Sequence, residues 1–155
     1  CSCYDKHHTF SLAGEDQVYQ RGNDDGIIIF KGWKICLRIC YDLRFPVWSR
    51  NTQDYDLLIY VANWPKPRIS AWDTLLKARA IENMSYVVGV NRCGEDSKGN
   101  DYPGHSAIYD SLGNCISGDL SSETKNISTF INYQELQAHR RKLRFLEDRD
   151  NFDLC

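Results

Sequence analysis

The sequence contains no long apolar run, no excess of basic residues and no paired cysteine motif. A membrane-spanning helix needs about 20 consecutive, mostly apolar residues, and no stretch of this chain approaches that length. The 155 residues carry a net charge of −2. Their one basic run, at residues 139–142, is typical of the solvated face of a helix. These absences argue against a membrane protein and against a nucleic-acid-binding protein.

The chain has seven cysteines, an odd number whose spacings match no common zinc motif. Zinc sites usually contain paired C-x-x-C units, whereas Cys1 and Cys3 are two residues apart and Cys36 and Cys40 are four apart. Reduced thiols, without a disulfide or metal framework, are typical of a cytosolic protein. We therefore expect a cytoplasmic chain that contains no structural metal.

The composition, with 42% hydrophobic and 26% charged residues, is that of an ordinary globular domain with a core of its own. Period-two patterns and apolar runs predict strands, whereas a 3.6-residue period predicts helices. The predicted strands are residues 26–30, 33–39, 55–62, 86–91, 105–110, 115–118 and 126–131, and the predicted helices are 45–51, 70–83 and 133–143, with a loop at 95–104. Strands and helices that interleave in this way predict a mixed α/β fold.

Cys40 lies where an apolar run gives way to a polar segment that contains a proline. In the preceding strand Ile35, Leu37 and Ile39 share one face, so Cys40 and Arg38 point to the other side. A strand that leads into a sharp turn can expose a nucleophile beside a backbone N–H that receives an oxyanion. Cysteines are also common in protein cores, and spacing alone leaves both interpretations open.

The segment ICYDLRFP at residues 39–46 resembles the nucleophile motif of the nitrilase, or carbon–nitrogen hydrolase, superfamily. Further stretches are similar to other motifs of the family and follow them in the same order. They are YDKHHTF at 4–10, the segment with Glu15, Tyr19 and Gly22, VANWP at 61–65, RAIEN at 79–83 and the G-x-S hairpin at 104–113. Within the superfamily, CYDLRFPVWSRN followed by VANWP is most similar to omega-amidases.

This resemblance implies a nitrilase-type αββα four-layer sandwich. Residues 1–155 would form the C-terminal part of a single carbon–nitrogen hydrolase domain, which assembles into a homodimer or a higher homo-oligomer. The implied reaction is hydrolysis of the terminal amide of a small carboxylate-bearing substrate, such as 2-oxoglutaramate or 2-oxosuccinamate. It passes through a cysteine thioester, releases ammonia and needs no metal or cofactor.

The resemblance also implies the roles of four residues. Cys40 is the nucleophile, Lys6 and the backbone N–H of Tyr41 face the oxyanion, and Glu15 orients Lys6. The family's general-base glutamate lies well upstream of the lysine, and this chain begins only five residues before Lys6. We therefore expect that an upstream part is missing and that this chain alone is inactive or nearly so.

Other residues are given supporting roles. Asn63 and Trp64 follow a buried strand, where substrate contacts are common, and are predicted to form the pocket wall. Arg79 and Glu82 are predicted to form a structural ion pair, and Thr9 stands where the family usually has an aliphatic residue.

Arg38 has no counterpart in the family pattern. We expect its side chain to reach solvent at the edge of the sheet. Two other roles remain open: it lowers the pKa of Cys40, or it holds a substrate carboxylate.

Two alternative functions remain. The first is an inactive fragment, pseudoenzyme or assembly subunit, which the missing glutamate favours for this chain. The second is a Cys–His thiol hydrolase that uses His7, His8 or His105. The resemblance gives no catalytic role to these histidines, and we expect His105 to make structural hydrogen bonds.

Overall fold

The computed structural model describes residues 3–118, 120 and 126–153, which form a mixed sheet with helices on both of its faces. The strands are β1 Ile27–Phe30, β2 Trp33–Ile39, β3 Leu57–Ala62, β4 Tyr86–Asn91, β5 Cys93–Glu95, β6 Asp101–Pro103 and β7 Ala107–Tyr109, and the helices are α1 Ile69–Asn83 and α2 Tyr133–Leu143. The main sheet has the order β1-β2-β3-β4-β7, while β5 and β6 form a separate hairpin. The mixed α/β fold predicted from the sequence is confirmed.

The topology brings the ends of two strands together. Strands β2, β3 and β4 are parallel, and the edge strands β1 and β7 are antiparallel to their neighbours. Ile39, the last residue of β2, is paired with Val61 of β3. Cys40 follows β2 directly and Asn63 follows β3 directly, so both leave the sheet at the carboxyl ends of parallel strands. Ligand sites of parallel sheets are usually found at this edge.

Helix α1 covers one face of the sheet. Its buried residues Trp72, Leu76 and Ala80 pack into the core formed by that face. The contact with β4 requires glycine, because a Cβ at Gly89 would lie 2.3 Å from Leu76 Cδ1.

Ser70 and Asp73 have the spacing of a capping box, but the structure shows no such cap at this helix. The helix starts at Ile69, one residue before Ser70, and has Arg68 at its N-cap with no side-chain cap. It continues directly from the 3₁₀ turn Lys66–Arg68, so Ser70 already lies inside the first turn.

Helix α2 packs on the opposite face, near the amino ends of the strands. Leu136 is buried there in a cluster with Ile35, Leu57 and Tyr86. Arg140 fixes the helix to the sheet, because its guanidinium contacts the Asp56 carboxylate at 3.1 Å and donates to the Tyr55 and Met84 carbonyls. Towards the carboxyl ends this face is open, and Val61 and Val90 are each 48% exposed.

Other local predictions are also wrong. Residues 126–131 alternate between exposed and half-buried positions as a strand does, yet they pair with no strand of the described residues. The period-two pattern there reflects one-sided burial rather than pairing. The predicted loop at 95–104 instead contains most of the β5–β6 hairpin, and the predicted helix at 45–51 is the single 3₁₀ turn Val47–Ser49. Within the described residues, no helix is both long and apolar enough to cross a membrane.

Candidate active site

Cys40 begins a 3₁₀ turn, Cys40–Arg44, at the end of β2. Its φ angle is +48°, in the left-handed region that costs a residue with a side chain about 1–2 kcal/mol. Such a conformation persists only where the surroundings hold it, and it is common at functional sites. The thiol is therefore carried by a turn whose shape other residues must maintain.

The carboxylate of Asp42 holds this turn from behind. Asp42 is fully buried, and its Oδ2 accepts hydrogen bonds from the Ile39 N–H at 3.0 Å and from the Tyr4 hydroxyl at 2.9 Å. Its Oδ1 accepts from the backbone N–H of His8 and contacts His8 Nδ1, both at 2.9 Å. One buried carboxylate thus joins the nucleophile turn to the segment that carries Lys6.

Lys6 and Glu15 form a short ion pair, with 2.5 Å between Nζ and Oε2. The same Glu15 oxygen accepts a hydrogen bond from the Phe10 N–H at 2.8 Å. The lysine side chain is 15% exposed and the glutamate side chain is 30% exposed. Glu15 therefore restrains the position of the Lys6 ammonium.

The pKa of the Cys40 thiol is raised above its ordinary value. Burial is the main cause, and Glu15 acts in the same direction, whereas the Lys6 ammonium and the backbone N–H of Asn63 lower it. At neutral pH the thiol is mostly protonated. A reaction at this sulfur therefore needs a base that takes the proton.

All six residues predicted for the site line one open cleft of about 1390 Å³. They are Lys6, Glu15, Cys40, Tyr41, Asn63 and Trp64. The cleft is also lined by residues of the β5–β6 hairpin and by the segment between β3 and α1. It is thus framed by four separate parts of the chain, which meet at the carboxyl ends of β2 and β3.

The family model for carbon-nitrogen hydrolases matches residues 2–141. The chain belongs to the carbon-nitrogen hydrolase family. It is 46% identical over 149 residues to the omega-amidase YafV of Yersinia enterocolitica, covering 96% of this chain and 58% of the relative. It is 35% identical to the 2-oxoglutaramate amidase of Bacillus subtilis, covering 94% and 56%. The chain thus spans a little more than half the length of these relatives.

Solved structures agree with the family assignment. XC1258 from Xanthomonas campestris, described as a CN-hydrolase superfamily protein with an arsenic adduct in its active site, superposes with a TM-score of 0.92. The two chains are 40% identical, and the match covers 98% of this chain and 60% of the other. The nitrilase-superfamily fold class expected from the sequence is therefore confirmed.

Tyr102, which is not among the site residues predicted from the sequence of this carbon-nitrogen hydrolase chain, lies on the wall of the cleft. The Tyr102 hydroxyl donates to Asp96 Oδ2 at 2.9 Å. Burial, Asp96 and the nearby Cys40 all raise the pKa of Tyr102. The sequence D-S-K-G-N at 96–100 is typical of a tight turn, and it is the signal that indicates the hairpin.

Trp64 and Asn63 contribute to the cleft in different ways. Trp64 is only 3% exposed and belongs to the core; its indole N–H donates to the Arg68 carbonyl and its backbone N–H to Asn91 Oδ1, both at 2.7 Å. The Asn63 residue is exposed, while its backbone N–H favours the Cys40 thiolate. Trp64 therefore forms a fixed wall of the cleft, whereas Asn63 acts on Cys40 through its backbone N–H.

The expectation that Arg38 reaches solvent is wrong. Arg38 is 5% exposed, and its guanidinium donates to the carbonyls of Asp25, Leu37 and Trp48 at 2.7–2.8 Å. It also packs against the rings of Tyr4 and Trp48. Arg38 is not among the residues that line the cleft. Because its guanidinium is bound by three backbone carbonyls, its role is structural.

The three histidines considered as bases do not line the cleft. His8 is paired with Asp42, and burial of its ring lowers the pKa of His8 although Asp42 acts in the opposite direction. His7 contacts a backbone carbonyl at 2.7 Å. His105 lies 3.0 Å from Asp73 of α1, so the expectation of structural hydrogen bonds for His105 is confirmed.

Two further predictions concern supporting residues. The structural ion pair between Arg79 and Glu82 is confirmed at 3.0 Å, and Arg79 also donates to the Leu43 carbonyl. Thr9 is 5% exposed and lines the cleft, and its hydroxyl finds no hydrogen-bond partner among the described residues.

Proposed function

We propose that the protein containing this chain is an amidase that hydrolyses the terminal amide of a small carboxylate-bearing substrate of the 2-oxoglutaramate type. The observation that carries this proposal is the cleft in which the Cys40 thiol shares a wall with the Lys6–Glu15 ion pair. The similarity to an omega-amidase and to a 2-oxoglutaramate amidase supports the choice of substrate.

In the proposed reaction, Cys40 Sγ attacks the amide carbonyl carbon and the carbonyl oxygen becomes an oxyanion. The Lys6 ammonium and the Tyr41 backbone N–H stabilise this charge; removal of one such donor typically lowers the rate about a hundred- to a thousandfold. The C–N bond then breaks, ammonia leaves with the proton taken from the thiol, and a thioester remains. Water hydrolyses the thioester, which releases the carboxylic acid and restores the thiol.

The thiol proton needs an acceptor, because the pKa of Cys40 is raised by burial. Glu15 is poorly suited, since its Oε2 already binds both Lys6 and the Phe10 N–H. We propose that the base is the glutamate that the family resemblance implies upstream of Lys6. On this proposal, residues 1–155 alone are inactive or nearly so.

We propose three further features of the protein. Residues 1–155 form part of one carbon–nitrogen hydrolase domain, the protein assembles into a homodimer or higher homo-oligomer, and it works in the cytoplasm on a small-molecule amide. No metal or cofactor takes part in the proposed reaction.

The proposal is tested by ammonia release from 2-oxoglutaramate. The 155-residue chain is compared with an upstream-extended form, each with and without Cys40→Ala. Cys115→Ala is the matched control, because Cys115 is exposed and lies outside the cleft. We expect turnover only in the extended form with Cys40 intact.

Three outcomes contradict parts or all of this proposal. Equal turnover by the short chain shows that a residue within it is the base. Turnover that survives Cys40→Ala excludes the thioester, and absence of turnover from every form favours an assembly role instead.

A further inference from the structure

The cleft is lined by four basic side chains, and two of them are already neutralised. The Lys6 ammonium is paired with Glu15 at 2.5 Å, and the Lys66 ammonium is paired with Asp101 at 2.8 Å. A charge paired in this way attracts an anionic ligand weakly, because its field is largely cancelled by its partner. Lys6 is assigned to the oxyanion at Cys40, so the binding of a second anionic group in the cleft depends on the other two basic residues.

Those residues are Arg44 and Arg68, and neither guanidinium has a carboxylate partner among the described residues. Each instead lies over an aromatic ring. The Arg44 Cζ is 5.0 Å from the ring centroid of Trp64, and the Arg68 Cζ is 5.4 Å from that of Phe10. Stacking on a ring restrains a guanidinium while its N–H groups remain free to donate.

The two arginines are connected through the wall of the cleft. The ring of Trp64 carries Arg44, and its indole N–H donates to the Arg68 carbonyl at 2.7 Å. The ring of Phe10 carries Arg68, and the Phe10 N–H binds Glu15. Both guanidiniums are thus held by residues that frame the thiol, on supports that are buried or hydrogen-bonded.

We propose that Arg44 and Arg68 form an anion subsite that binds the carboxylate of the substrate while its amide lies at Cys40. A guanidinium offers parallel N–H donors that match the two oxygens of a carboxylate. The identity of the substrate rests on the amidase function proposed above. The positive potential of the subsite, however, acts on any anion that approaches Cys40, so it is measured without turnover.

The first experiment compares alkylation of Cys40 by iodoacetate, which is an anion, and by iodoacetamide, which is neutral and of similar size. In both reactions the thiolate displaces iodide. The iodoacetate rate divided by the iodoacetamide rate at Cys40, measured by mass spectrometry of the peptide that contains it, reports the local electrostatic potential. We expect this ratio to fall about threefold to tenfold in the double variant Arg44→Gln/Arg68→Gln, and part of that in each single variant.

Arg92→Gln is the matched control. The Arg92 guanidinium also lies over a ring, that of Tyr102 at 4.8 Å, but Arg92 does not line the cleft. The exposed Cys115 provides an internal reference in every sample. We expect both ratios, at Cys40 in Arg92→Gln and at Cys115 throughout, to stay unchanged. An unchanged Cys40 ratio in a folded double variant overturns the subsite.

The second experiment uses the upstream-extended form and compares 2-oxoglutaramate with a neutral primary amide of similar length. We expect Arg68→Gln to raise KM for 2-oxoglutaramate at least tenfold and to leave the kinetics of the neutral amide nearly unchanged. An equal loss for both amides overturns the subsite but retains the amidase. If neither amide is hydrolysed, the proposed function fails, and the alkylation ratio still decides whether the subsite exists.

Discussion

The two sides of the Cys40 turn differ in how completely their polar groups are paired. Behind the turn, the buried Asp42 carboxylate accepts from the Ile39 and His8 amides and from the Tyr4 hydroxyl. In front of it, the cleft is lined by the Cys40 thiol, whose pKa is raised by burial, and by the guanidiniums of Arg44 and Arg68, which have no carboxylate partner within the described part of the chain. A site needs both properties, because a reactive group must be held rigidly while the groups that meet the substrate stay unoccupied.

Arg38 and Arg68 differ in the same way in how their guanidiniums are paired. Arg38 is buried and donates to three backbone carbonyls, whereas Arg68 is half-buried and has no carboxylate partner among the described residues. Both guanidiniums lie over aromatic rings. The same side chain is therefore structural where the backbone surrounds it and available for binding where it faces the cleft.

Removal of the carboxylate behind the turn is expected to have the largest effect. Asp42→Ala leaves two backbone amides and a hydroxyl without their acceptor, and each unsatisfied buried group costs about 1–3 kcal/mol. We expect the free energy of unfolding, measured by urea titration, to fall by about 4 kcal/mol.

Asp110→Ala is the control for this prediction. Asp110 also accepts from two backbone amides, those of Leu112 and Asn114, but on the surface. We expect a loss of about 1 kcal/mol or less. Equal losses at Asp42 and Asp110 would show that burial behind the turn has no special importance.

Replacement of the structural arginine is expected to have the second largest effect. Arg38→Met removes the donor of three carbonyls, and we expect the free energy of unfolding to fall by about 3 kcal/mol. Arg68→Met is the comparison, because it removes a stacked guanidinium without such partners, and we expect it to cost under about 1 kcal/mol. The same loss in both variants would contradict the distinction between the two arginines.

The sequence predicts those parts of the fold that burial on two faces determines. Strands β3 and β4 are nearly continuous apolar runs, and α1 has a regular apolar stripe at Trp72, Leu76 and Ala80. The β5–β6 hairpin is missed because its strands have three residues each and are largely polar. Strands this short carry too little periodicity to be distinguished from a loop.

The residues of the candidate site also differ in how far the sequence predicts them. Motif resemblance brings Cys40, Lys6 and Glu15 together, because their residue types recur at a recognisable spacing. The burial of Arg38 is missed because its partners are backbone carbonyls, which leave no trace in residue identity. Tyr102 is missed because it lies on β6, which is too short for a periodic pattern, although the turn residues at 96–100 precede it. The sequence therefore indicates the residue types of the candidate site more readily than the packing and hydrogen bonds around them.

In the cleft, loss of the cation beside the thiol is expected to change reactivity more than stability. Lys6 lowers the pKa of Cys40, so Lys6→Met raises this pKa further. Below the pKa, the thiolate fraction falls about tenfold for each unit of increase. We expect iodoacetamide to alkylate Cys40 about threefold to tenfold more slowly at pH 8, with the two rates converging at high pH.

Lys66→Met is the matched control for this prediction. Lys66 lines the same cleft but is paired with Asp101, so we expect the pH profile of Cys40 alkylation to keep its midpoint. A midpoint that moves equally in both lysine variants would assign the effect to the general potential of the cleft instead of to Lys6.

The smallest effect on stability is expected from the ion pair at the outer edge of the cleft. The Lys66 and Asp101 side chains are 66% and 50% exposed, and exposed pairs contribute little to folding. We expect Asp101→Asn to move the thermal midpoint by no more than about 1 °C. The variant also frees the Lys66 ammonium, so the iodoacetate-to-iodoacetamide ratio at Cys40 should rise about twofold and return towards its original value in high salt. A lowered thermal midpoint with an unchanged alkylation ratio would contradict this prediction. It would show that the ion pair stabilises the β5–β6 hairpin and does not control the potential of the cleft.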